Sequence, residues 1–271
     1  MEYQIFIEIL AAIFGLLLGS FANVCICRLP EDESVVTPRS HCRNCQHPIA
    51  WYENIPLLSY ALLGGRCRHC RAAIGWRYPA VEALTGLWFW FMVHQLHLSW
   101  DAAKWCIFGF LLIELVCSDL ESRILPDEFT LGGWVTALAL SIVVVPPGER
   151  LVSLLLDVQS SPWIGLAEAG VASAALGGVL WLVGWIYMKV RGRDGLGLGD
   201  VKLLGMMSAF LGLQYSIGTL LGASLSGSVL GFAYIKARRL DPASYELPLG
   251  TFLGVAGLFA ALVAVLHPAV R

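Results

Sequence analysis

Continuous apolar runs of about 20 residues constrain this chain more than any other feature, because an α-helix needs that length to cross a bilayer core. Eight such segments fit the sequence: Ile5 to Ile26, Ala80 to Leu98, Ala102 to Ser118, Glu128 to Val145, Ile164 to Met188, Val201 to Leu213, Tyr215 to Ile235 and Leu247 to Leu266. A stretch such as Ile164 to Val190 lacks the alternation of a barrel strand, so helices are predicted. Charged residues make up only 14% of the chain and the mean hydropathy is +0.70. An ordinary soluble enzyme is excluded, and the net charge of −2 gives no reason to invoke nucleic acid. The first run has no basic residue before it and no small-residue cleavage site after a short apolar core, so it reads as a retained span. The segment from Val201 is the shortest and the weakest as an independent crossing.

Orientation follows from the cations. One set of loops holds Arg28, Arg39, Arg43, Arg66, Arg68, Arg71, Arg77, Arg123, Lys189, Arg191, Arg193, Lys202, Lys236, Arg238 and Arg239, and the other holds Lys104, Arg150 and Arg271. Short loops weigh most in this rule, and from Arg123 onward they still favour the first set by eight to three. That set is predicted to be cytoplasmic, with both termini outside.

One loop is large enough to be a domain, the 52 residues from Arg28 to Pro79. It has too little apolar surface for its own core and needs a staple. Cys42-x-x-Cys45 and Cys67-x-x-Cys70 offer one, since two such pairs can complete a tetrahedral zinc site. Two disulfides or a redox pair are the alternatives; a cytoplasmic position disfavours the first, and the lack of a βαβ frame disfavours the second. His41, His47 and His69 flank the cysteines as knuckle surface residues or substitute ligands. Cys25, Cys27, Cys106 and Cys117 fall in or beside spans, where a free thiol packs as a small apolar group.

Ionisable groups at membrane depth point to chemistry. Asp119 lies where the third span ends, and Asp200 follows Gly195-Leu196-Gly197-Leu198-Gly199 at the start of the sixth. The topology puts both at the cytoplasmic edge. Two carboxylates close together can share one proton, so that one activates water while the other donates to a carbonyl oxygen. Gly197 and Gly199, with no side chains to block an extended substrate backbone, are candidate substrate-binding positions together with Lys202. On the residues alone a second reading stays open, in which Asp127 and Asp200 are helix N-caps. The glycine run lacks the ending of a phosphate-binding loop. Glu114 and Glu168 lie deeper, bonded across helices or protonated, while His94 and His97 read as packing near the outer end of the second span. Trp88, Trp90, Trp181 and Trp185 suit lipid-facing or interfacial positions.

Taken in order, the motifs resemble the type IV prepilin peptidases. They are Gly19-Ser20-Phe21 with Asn23-Val24, Arg28-Leu29-Pro30, the two cysteine pairs, Asn54-Ile55-Pro56, Ser59-Tyr60, Gly65-Arg66-Cys67, Arg77-Tyr78-Pro79 with Glu82, Asp119 with Leu125-Pro126-Asp127, and Gly197-x-Gly199-Asp200-x-Lys202-Leu203. The resemblance implies an all-α polytopic protein of the bacterial inner membrane with eight transmembrane helices. It divides into a first helix over 1–27, a zinc-binding cytoplasmic loop domain over 28–79 and an aspartyl protease domain of the GxGD class over 80–271.

The resemblance further implies Asp119 and Asp200 as the dyad, with Asp127 as cap or alternative acid. The implied substrates are prepilins of type IV pili or pseudopilins of type II secretion; Glu31, Asp32, Glu33 and Glu53 read either as attracting their basic leaders or as a solvated charged face. It implies a second activity too, S-adenosylmethionine-dependent methylation of the new N-terminus, for which Glu53, Arg77, Tyr78 and Glu82 are the candidates. No Rossmann fingerprint supports that activity independently.

Two positions depart from the family pattern. Leu249-Gly250-Thr251-Phe252 stands where Phe-Gly-Pro-Phe is common, and Ala22 stands where a bulky residue is usual. Both are expected away from the dyad. The rival functions are a non-catalytic zinc-knuckle scaffold and a quinone-coupled thiol oxidoreductase; the second needs the cysteines outside, against the charge count.

Overall fold

The structure, a computed structural model, describes residues 2–148, 151–156, 162–192, 195–239 and 247–267. Arg150, Arg193 and Arg271, which entered the charge count, lie outside the described residues. Every regular element among the described residues is helical: α1 Glu2–Arg28, α2 Leu58–Leu62, α3 Arg77–Leu96, α4 Trp100–Ser122, α5 Asp127–Ser141, α6 Leu151–Leu156, α7 Pro162–Arg191, α8 Leu198–Arg238 and α9 Leu249–Leu266, with short 3-10 turns at Leu29–Glu31 and Trp51–Glu53. Four are long and apolar enough to cross a membrane: the first helix with its 3-10 extension, α7, α8 and α9. The other predicted spans are helical but weaker as crossings. Helix α5, for instance, has 15 residues.

The chain forms two compact units, Met1–Ser118 and Asp119–Arg271. In the first, α1 packs against α3 through Gly15 and Gly19, where a Cβ would come within 2.7 Å of Thr85 O or Glu82 Cα. Spacing of small residues by four puts them on one helix face and lets two backbones approach, the usual adhesive between helices in lipid. Trp88 departs from its predicted lipid-facing role: it is buried, and its indole N–H donates to Trp105 O at 2.8 Å. Trp90, Trp181 and Trp185 are exposed, in keeping with expectation. His94 is more than packing, since its Nδ1 lies 3.1 Å from Glu8 Oε1, which also accepts from Gln4.

The second unit is built around α8. Residues Leu203 to Gly212 are all buried, which explains the short apolar segment from Val201: a helix apolar all round is one that protein surrounds. A continuous helix of 41 residues would run about 60 Å, twice the hydrocarbon thickness. It breaks at Gly212 (φ 72°, ψ 174°), next to the position where the sequence separates two spans. Only glycine suits the break, because φ is positive and a Cβ would meet Pro147 O at 2.7 Å. Glu168 is buried on α7 and is bonded across elements, accepting from the Val152 and Ser153 N–H groups at 2.7 and 3.1 Å. Those amides are among the orphan donors at the start of α6.

Candidate functional site: an aspartate pair and a cysteine cluster

Asp119 sits in the last turn of α4 and is buried. Asp200 is the third residue of α8, half-buried, and the Asp119 charge is felt there. Both belong to the second unit. Leu125 lies against both neighbourhoods. A Cβ on Gly199 would stand 3.3 Å from the Leu125 side chain, and one on Gly250 would stand 3.1 Å from Leu125 and 3.2 Å from the Asp119 carboxylate. The glycines therefore let the backbones of α8 and α9 close on the end of α4. Gly197 is exposed and caps α8, and Asp200 Oδ2 turns back to within 3.4 Å of where its Cβ would be.

Neither capping role predicted for the aspartates is present. Gly197 is the N-cap of α8 and Pro126 that of α5, and neither helix has a side-chain cap. Asp127 is the first residue of α5, and both its oxygens accept from Lys202 Nζ, at 2.7 and 2.9 Å. Lys202, a candidate substrate-binding position, thus already has a carboxylate partner. The motif departure at Leu249 to Phe252 also lies elsewhere than expected. The Thr251 N–H and hydroxyl each donate to Asp119 Oδ2 at 2.7 Å, so the departure touches Asp119 directly. Sequence reasoning missed Thr251, and the signal was that very departure from Phe-Gly-Pro-Phe.

In the first unit, the two cysteine pairs fold as matching knuckles. Cys42 N donates to His47 O and Cys67 N to Ala72 O, both at 2.9 Å, and left-handed Gln46 and Arg71 close the turns. The four Sγ atoms lie within 4.8 Å of one another, with Cys42 and Cys70 3.8 Å apart. Four sulfurs at about 2.3 Å from a central ion stand about 3.8 Å from each other, so the set fits a tetrahedral metal. No histidine is needed: His47 and His69 stack face to face, centroids 4.3 Å apart. The backbone N–H of Ala72 and the Asn44 amide lower the Cys70 thiol to about 6, and the Cys45 N–H lowers Cys42. The His47 N–H favours the Cys45 thiolate, but burial and the neighbouring thiols outweigh it and push that thiol up to about 11.

The family motifs around the knuckles have structural duties. Buried Arg28 donates to Ser34 O and Pro38 O, and Ser59 Oγ bridges Ile55 N and Tyr52 O. Glu53 pairs with Arg68 at 3.2 Å, and Glu82 accepts from Leu57 N at 2.8 Å. Arg77 donates to Cys27 Sγ at 3.0 Å and lies over the Tyr78 ring, so Cys27 is more than a small apolar group.

Comparison with known proteins decides the family. The Bacterial Peptidase A24 N-terminal domain matches residues 13–96, and the Type IV leader peptidase family matches residues 106–232. The prepilin leader peptidase/N-methyltransferase of Aeromonas salmonicida is 35% identical over 279 residues, covering 93% of this chain and 89% of that protein. The chain belongs to the type IV leader peptidase family. The counterpart in Myxococcus xanthus is 39% identical over 225 residues, 83% of this chain, and the match spans 62% of that relative's length. The one in Pseudomonas aeruginosa is 33% identical over 284 residues, 92% and 88% of the two chains. No solved structure matches this leader peptidase family member.

Proposed function

We propose that the chain removes the basic leader from type IV prepilins or type II secretion pseudopilins and then N-methylates the new N-terminal residue. The observation that carries the reading is the gathering of Asp119 and Asp200 around Leu125, Gly199 and Gly250, in a chain that matches the leader peptidase family. The protein works in the bacterial inner membrane with eight spans and its aspartates at the cytoplasmic face, where a leader meets a hydrophobic helix. Residues 1–27 form the first span, 28–79 the cytoplasmic loop domain and 80–271 the protease domain.

The dyad acts in its singly protonated state. The ionised carboxylate takes a proton from water as the water oxygen bonds to the scissile carbonyl carbon, and the protonated carboxyl gives its proton to the carbonyl oxygen. The tetrahedral intermediate collapses with proton transfer to the amide nitrogen. The C–N bond breaks, leaving a leader carboxylate and a free amine.

Zinc would be held by Cys42, Cys45, Cys67 and Cys70 and would serve the fold rather than the reaction, since four protein ligands would leave no open position for substrate. S-adenosylmethionine, when bound, supplies an electrophilic methyl group to the new amine. Glu53, Arg77, Tyr78 and Glu82 are the candidates for that activity; Glu53 bonds Arg68, Arg77 donates to Cys27 and lies over the Tyr78 ring, and Glu82 accepts from the Leu57 N–H.

Cleavage of a prepilin peptide by purified protein tests the reading. Asp119→Asn and Asp200→Asn should each abolish cleavage, and the double variant should be no worse than either, because the two act as one unit. Near-normal cleavage by either variant refutes the dyad. Absence of cleavage by the wild type favours the zinc-knuckle scaffold.

A further inference from the structure

We propose that Thr251 is a positioning residue for Asp119: its hydroxyl and backbone N–H hold one carboxylate oxygen and leave the other to face the reacting groups. The inference rests on the dyad reading above.

Both donors converge on Oδ2 at 2.7 Å, within the hydrogen-bond range for a hydroxyl and an amide donor. Two bonds from different directions fix the side-chain torsions, which one bond would leave free to swing. Helix α9 starts after Pro248, so Thr251 is its third residue and its N–H has no acceptor within the helix. Donation to Asp119 satisfies that amide. Gly250 makes the approach possible, since any side chain there would press on the carboxylate at 3.2 Å. Asp119 itself is 6% exposed, so water competes little for Oδ2.

Chain identity matters at this position. A proline, as in the Phe-Gly-Pro-Phe that the resemblance leads one to expect, has neither a hydroxyl nor an N–H. It would pack at the helix start without holding the carboxylate. Threonine here adds two donors that the common motif lacks. Removing donors from an ionised carboxylate eases its protonation and loosens its orientation.

The test uses full-length protein in detergent, a prepilin peptide, and Thr251→Ser, Thr251→Val and Thr251→Pro alongside the two Asn variants. Thr251→Ser keeps both donors and should match the wild type. Thr251→Val should lower kcat about tenfold with KM unchanged, and should move the acid limb of the cleavage profile up by about one pH unit. Thr251→Pro should move the limb at least as far. Melting temperatures report folding, and Thr251→Ala is read instead of Val if the latter is unstable. Val and Pro profiles that coincide with the wild type overturn the assignment. So does a lowered kcat with an unmoved limb, or a change in KM alone, since packing damage would give either. If the Asn variants cleave normally, the dyad reading has failed; if they are inactive while Thr251→Val is normal, only the Thr251 inference has failed.

Discussion

Lys202 donates to both carboxylate oxygens of Asp127, at 2.7 and 2.9 Å, and so fastens the start of α8 to the start of α5. The bond lies two residues from Asp200 along the chain, yet its chemistry differs from that of the proposed dyad. A carboxylate bound by an ammonium through both oxygens is a poor candidate for sharing a proton with another acid.

Asp127→Asn is therefore expected to keep prepilin cleavage within a few-fold of the wild type. The Asp127 side chain is 57% exposed and the pair is partly screened, so the melting temperature should fall by about 2–4 °C at most. Loss of cleavage in a folded Asp127→Asn protein would return Asp127 to the dyad.

Metal analysis should find one zinc per chain, with the four loop thiols unreactive until a chelator is added. Cys42→Ser or Cys67→Ser should lose the metal and make the loop sensitive to protease, because ligand binding supplies much of the folding free energy of so small a unit. Well under one zinc per chain, with freely reactive thiols, would sink the assignment. Membrane insertion of α7, α8 and α9 does not depend on the knuckles and should persist.

Leu98 and Val36 are 72% and 80% exposed, at the outer end of the second predicted span and in the loop predicted to be cytoplasmic. On intact cells, an impermeant thiol reagent should label Leu98→Cys above the wild-type background but leave Val36→Cys unlabelled. The reverse pattern would invert the topology and put both aspartates on the wrong face.

Several features were legible in the residues because they depend on local spacing or on composition. Apolar runs report helices through solvation alone, and paired cysteines three apart report a knuckle because a tight turn brings i and i+3 together. The division of α8 was visible as a boundary near Leu213, and Gly212 supplies the break itself through a backbone conformation that other residues resist. Motif order was enough to indicate the family.

Tertiary structure decided what depends on distant residues. Asp127 and Lys202 are 75 positions apart and Asp119 and Thr251 are 132 apart, so no local pattern could announce that the first pair is an ion pair or that the second is a brace. Trp88 looked like an interfacial residue until the Trp105 carbonyl supplied a buried acceptor for its indole. Sequence fixes which groups a chain carries and how each segment meets solvent or lipid. Which carboxylate meets an ammonium, and which meets a hydroxyl, is set only when helices pack, because a hydrogen bond acts over about 3 Å and is indifferent to chain distance.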